Sequence, residues 1–144
     1  MRQEEKKEEG KQASPTPPLN HYNRSIILLY DVIRWEEKAL YEAAIKKGIK
    51  VENIDCKNLA IDLNDKNSKY REHLVLQRTV SYFKNVHSTA ALEGLGARVI
   101  NSLHTAIMCG NKMYGHMELQ KAGIRTPKAV AAFSEQSAMA VLDK

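Results

Sequence analysis

Short apolar runs begin at residues 25, 49, 73 and 98, about 24 residues apart, and helix-patterned sequence fills two of the three gaps. The first, Ser25-Ile26-Ile27-Leu28-Leu29-Tyr30, is continuous rather than alternating, as expected of a strand covered on both faces. Ile49 to Ile54, His73 to Gln77 and Arg98 to Asn101 read as the next three strands. Arg34 to Lys47 reads as an amphipathic helix whose core-facing stripe is Trp35, Ala39, Leu40, Ala43 and Ala44, ended by Gly48 in a left-handed conformation. Ser81 to Leu95 reads as a second helix that buries Phe83, Val86 and Ala90 and closes at Gly94 or Gly96. Strands and helices in this rhythm make βαβ units, so the expected fold is α/β: an open, mainly parallel, Rossmann-like sheet.

Residues 55–72 break the pattern. They hold Asp55, Asn58, Asp62, Asn64, Asp65 and Asn67 and read as loop, with room for one short helix or strand. Past the fourth strand, Asn111 to Ala122 is a further helix stopped by Gly123. Lys128 to Phe133 is the expected fifth strand, and Ser134 caps a last helix. Residues 1–22 form a charged, proline-rich tail, with Ser14-Pro15-Thr16-Pro17-Pro18 incompatible with helix, and too little apolar surface to offset the entropy of ordering.

The net charge of +5 raises the question of nucleic acid, but acids interrupt the bases, as in Arg34-Trp35-Glu36-Glu37-Lys38, so no basic face forms and nucleic-acid binding is not expected. The absence of a long apolar run excludes a transmembrane helix, and the charged start is no secretory signal; the cytoplasm is the simplest location. Cys56 and Cys109 are too far apart in sequence for a zinc pairing, and the five histidines form no metal pattern. No glycine-rich phosphate loop follows the first strand. Gly94-Leu95-Gly96 leads from a helix into a strand, the reverse of a dinucleotide fingerprint. No nucleophile elbow is present. Asp31 stands alone after the first strand, where capping explains it as well as chemistry does.

One stretch is more specific. In Cys109-Gly110-Asn111-Lys112, continuing to Leu119, Gly123-Ile124 and Pro127, a lysine opens a helix that ends in a Gly-Ile turn and a proline. This segment resembles the entry into an ATP-grasp domain. Together with Tyr30-Asp31-Val32-Ile33-Arg34-Trp35-Glu36-Glu37-Lys38, Leu76 to Phe83 and Val99-Ile100-Asn101-Ser102, all in one order, it makes Ser25 to Lys144 similar to the amino-terminal part of the RimK-like ligases that join α-aminoadipate to a carrier protein in lysine biosynthesis.

Beyond the tail at 1–22, that resemblance implies a pre-ATP-grasp α/β domain at 23–110 and the truncated start of an ATP-grasp domain at 111–144. It implies ATP and Mg²⁺ as cofactors. The partners it implies are a small acidic carrier protein of the LysW type and an amino-acid substrate, α-aminoadipate or, in arginine-making relatives, glutamate. Lys112 is the expected ATP-phosphate contact. Catalytic residues and metal ligands are expected outside these 144 residues, so the chain by itself is expected not to turn over. Arg34, Arg78 and His87 could reach carboxylates of substrate or carrier, though local pairing is the simpler account of each. Asn101 and Ser102 stand at a strand's carboxyl end, where open α/β sheets place ligands. The helix 111–122 and the strand after it are expected to be poorly covered. Rival readings are a freestanding doubly wound binding module and another RimK-like glutamate ligase; oligomeric state, a homo-oligomer included, stays open.

Overall fold

The computed structural model describes residues 25–142. Its centre is a four-stranded, all-parallel sheet built from β1 (Ser25–Tyr30), β2 (Lys50–Asp55), β3 (Leu74–Gln77) and β4 (Arg98–Ile100), in spatial order β2-β1-β3-β4. Ile27 lies beside Val75 and Val75 beside Val99, so these three side chains share a face. With Leu29, Tyr70, Leu92, Leu95 and Ala97 they form the main core, and Leu59 and Ile61 pack against it. The expected fold class is the one found.

Helix α1 (Trp35–Lys46) connects β1 to β2 on the opposite face, the Leu28 side, and α2 (Tyr82–Gly94) connects β3 to β4 on the core side. Central β1 is therefore sandwiched, which is why Ile27, Leu28 and Leu29 are all buried despite their alternating directions. The crossover from β2 to β3 contains two single 3-10 turns, Cys56–Asn58 and Lys69–Glu72. Its aspartates explain why it stays irregular: Asp55, Asp62 and Asp65 each accept a hydrogen bond from the backbone N–H two residues on.

Gly48 lies just past α1 at φ +69°, as expected. Of the two candidates after α2, Gly96 is the left-handed one, at φ +86°. Three expectations are corrected. The stripe on α1 does not pack: only Ala44 of its five residues is buried, and Trp35 is 75% exposed. Rather than an apolar side chain, the first turn of α1 buries Glu37. Phe83 is 72% exposed, because it stands in the first turn of α2, beyond the edge of the sheet. Residues 128–133 form no strand, having no neighbouring strand to pair with.

An unexpected helix, α3 (Leu103–Gly110), follows β4 and is capped by Ser102. It is succeeded by α4 (Lys112–Lys121) and α5 (Glu135–Leu142). Neither α4 nor α5 contains a buried residue, which fits the expected poor cover over this part.

Candidate functional site

Three loops leave the carboxyl ends of β1, β3 and β4, and Arg34, Arg78, Asn101 and Ser102 lie on them. The strand order reverses between β1 and β3, so this edge is the place where an open α/β sheet forms a ligand crevice.

At the β1–β3 end, Glu37 organises the crevice. Its carboxylate is 2% exposed and accepts from the Arg34 backbone N–H at 2.9 Å, from Arg34 Nη2 at 3.3 Å and from Arg78 Nε at 2.9 Å. Burial works to raise its pKa, but the side-chain and backbone bonds from Arg34 and the bond from Arg78 outweigh that and hold it down at about 2, from an ordinary 4.5. Asp31 is the second buried carboxylate. Its burial is likewise opposed, by the N–H groups of Val80 and Ser81 and by the Lys84 ammonium at 3.7 Å, and its pKa is lowered. Asp31 therefore does not cap the helix that follows it. It ties β1 to the turn that starts α2. Arg34 and Arg78 are brought together, but by Glu37. With Asp31, Glu36, Glu37 and Lys84 nearby, the cluster carries as many acids as bases. His87 stands apart: its Nδ1 bonds the Phe83 carbonyl oxygen at 2.8 Å and its ring stacks on Phe83.

At the β3–β4 end a cavity of about 320 Å³ opens between α2 and α3. Gln77, Asn85, Asn101 and Thr105 give it polar walls, and Val80, Tyr82 and Ala106 give it apolar ones. Asn101 thus lies in a cavity wall, while Ser102 is spent on capping α3, accepting from Thr105 N at 3.3 Å. Gly110 also lines the cavity. A Cβ there would come within 2.6 Å of the Tyr82 ring, so only glycine allows the last turn of α3 to approach α2 this closely.

Lys112 is the first residue of α4. Asn111 caps that helix, its Oδ1 accepting from Met113 N at 3.0 Å and Tyr114 N at 3.3 Å. Lys112 borders a separate groove of about 630 Å³, walled by Met113, His116 and Met117 on α4 and by Pro127 and Val130 on the segment that follows. Lys112 makes no ion pair among the described residues. A cation at the positive end of a helix dipole is unfavourable by several tenths of a kcal/mol unless an anion joins it. The groove therefore combines apolar side chains with a cation that has no ion-pair partner among the described residues. Among the described residues no three His, Cys, Asp or Glu side chains converge to hold a metal ion, so the Mg²⁺ implied by the resemblance has no ligand set here.

Sequence reading missed Glu37, Asn85 and α3. The signal for Glu37 was its position three residues after the last non-helical residue, where a carboxylate reaches back to cap. Arginine in the capping position hid it. Asn85 sits one turn into an otherwise ordinary helix and gave no signal.

A family model for the LysX preATP-grasp domain matches residues 26–108, more than half of the chain. The alpha-aminoadipate–LysW ligase LysX of Sulfurisphaera tokodaii is 36% identical over 119 residues, covering 81% of this chain and 42% of that protein. Its counterpart from Sulfolobus acidocaldarius is 31% identical over 114 residues, covering 78% of this chain and 41% of that protein. The glutamate–LysW ligase ArgX of Sulfurisphaera tokodaii is 27% identical over 114 residues, covering 79% and 40%. The chain thus spans about two fifths of the length of these relatives. A solved RimK-domain ATP-grasp protein from Sphaerobacter thermophilus shares the fold, with a TM-score of 0.66 at 22% identity, over 82% of this chain and 45% of that one.

Proposed function

For a chain that belongs to the LysX preATP-grasp family, we propose the amino-terminal part of an ATP-dependent ligase that joins α-aminoadipate or glutamate to the terminal carboxylate of a small acidic carrier protein. In this reading residues 23–110 are the pre-ATP-grasp domain and residues 111–144 begin the ATP-grasp domain. The observation that carries it is Lys112, a cation without an ion-pair partner among the described residues, at the start of α4 on the rim of an open groove. The names of the LysX and ArgX relatives support the carrier and the amino acid.

The chemistry proceeds in two steps. The carrier's carboxylate takes the γ-phosphoryl group of ATP, releasing ADP. The amino group of the amino acid then attacks the acyl carbon, phosphate leaves, and an amide bond remains. This chain's own contribution is binding and placement. Lys112 holds phosphate oxygens by charge, and Met113, Met117 and Val130 shield the nucleotide from water. The Glu37 network fixes Arg34 and Arg78 so that the crevice edge keeps its shape.

The test is the intact mass of the purified acidic carrier protein after incubation with the complete ligase, ATP, Mg²⁺ and α-aminoadipate or glutamate. The expected result is a gain of one amino-acid residue that requires ATP. A carrier of unchanged mass with both amino acids would overturn the proposal.

A further inference from the structure

Gly110 and Lys112 are two residues apart at the break between α3 and α4, yet they border different spaces: Gly110 the cavity at the β3–β4 end, Lys112 the open groove. Two residues of chain span at most about 7 Å, so the two spaces adjoin across that break.

Their chemistries differ. None of the residues lining the β3–β4 cavity carries a formal charge, so a phosphate or a metal ion finds no counter-charge there. Its polar walls are amides and hydroxyls. Gln77 is already engaged: its Nε2 donates to Ser88 Oγ at 2.8 Å and Thr89 Oγ1 at 3.1 Å, and its Oε1 accepts from Thr79 N at 3.1 Å. Asn85 is not. Its Nδ2 donates to the Thr79 carbonyl oxygen at 3.4 Å, while its Oδ1 is buried and accepts from nothing among the described residues. Asn101 is exposed, and its side chain has no hydrogen-bond partner among the described residues. A buried acceptor left unpaired is unfavourable, and a turn of the Asn85 amide would bring its free polar atom to a ligand in the cavity. Whichever way the Asn85 amide is turned, a peptide group carries the complement, since it offers both an N–H and a C=O.

We infer that this cavity is a peptide-amide site that holds an extended main-chain segment of the acceptor protein, with Asn85 and Asn101 bonding its backbone. The inference rests on the reading of the Lys112 groove as the nucleotide side: a neutral backbone lies in the neutral cavity while the charged carboxylate end points toward the phosphates. A nucleobase is the less favoured occupant. The one aromatic ring on the wall, Tyr82, is fixed by close approach to Gly110 and by an edge contact with Phe83, and so offers little platform for stacking.

Cys109 lines the same cavity and is exposed, whereas burial raises the pKa of Cys56, so iodoacetamide reports on this cavity through Cys109. The probe is N-acetyl-Gly-Gly-Glu, with adenosine and ATP as separate arms. The peptide should slow Cys109 alkylation saturably, about tenfold once it stands ten times above its Kd. Asn101→Ala, which removes no internal bond, should abolish that protection while circular dichroism stays unchanged; Asn85→Ala should do the same. Protection by adenosine or ATP and not by the peptide would reassign the cavity to the nucleotide and overturn the inference, as would protection by none of the three or protection that survives Asn101→Ala. Peptide protection combined with an ATP affinity indifferent to Lys112→Ala would keep the peptide site and remove the nucleotide reading instead.

Discussion

Replacing Glu37 with glutamine keeps the shape of a side chain at the centre of the crevice and removes its charge. In the folded protein that carboxyl titrates at about 2 rather than 4.5, because two guanidinium groups and a backbone N–H bond its ionised form. At about 1.4 kcal/mol per pKa unit the shift corresponds to roughly 3.5 kcal/mol as an upper bound. Arg34 and Arg78 have side chains 41% and 34% exposed, so solvent screens the attraction and about 2 kcal/mol is the better figure. For a domain of this size that is a fall of roughly 8 °C in Tm. The pH dependence identifies the cause. A depressed carboxyl pKa stabilises fully above the unfolded value near 4.5, and the contribution is lost as pH falls toward about 2. Asp31 titrates in both proteins and cancels in the difference. Thermal unfolding followed by circular dichroism on wild type and Glu37→Gln should therefore show the full gap at pH 7, a shrinking gap below pH 4.5 and almost none near pH 2. A gap of similar size at pH 7 and pH 2.5, or no gap at pH 7, would refute the account of Glu37 as the charge that holds both arginines.

Other substitutions probe the packing and the cavity. Leu92→Ala, at a position 1% exposed, should cost about 3 kcal/mol in urea unfolding, while Trp35→Ala, 75% exposed, should cost under about 1 kcal/mol despite removing a larger side chain. Equal costs would contradict the orientation of α1. Gly110→Ala should destabilise by about 1–3 kcal/mol, because its Cβ meets the Tyr82 ring, and should also alter iodoacetamide access to Cys109. Wild-type stability with unaltered Cys109 labelling would show that α2 and α3 do not meet as described.

The sheet was legible because β1 is buried on both faces, and only a continuous apolar run such as Ile26 to Leu29 satisfies that position. Gly48 and Gly123 were legible because each ends its helix in a conformation that favours glycine, at φ +69° and +70°. The orientation of α1 was not. Its apolar residues outnumber those that the sheet can cover, and the packed side is chosen by Glu37 finding Arg34 and Arg78, the latter 41 residues on, a tertiary pairing that periodicity does not encode. The strand expected at 128–133 was a local reading of a short segment, and a strand requires a neighbour to pair with. In the site, Asn101 was legible from its place at a strand end. Asn85 was not, because its role comes from the approach of α3, an eight-residue helix whose capping residue, Ser102, reads in the sequence only as a strand-end position for a ligand.

The central claim is that Lys112 meets nucleotide, and the most direct measurement is calorimetric titration of ATP into the complete ligase and its Lys112→Ala variant. A charge-assisted contact with phosphate is worth about 1.5–3 kcal/mol, so the variant's Kd should rise by roughly tenfold to a hundredfold, with adenosine affinity little changed. Equal ATP affinity in the two proteins would contradict the claim and leave the groove beside α4 without a nucleotide.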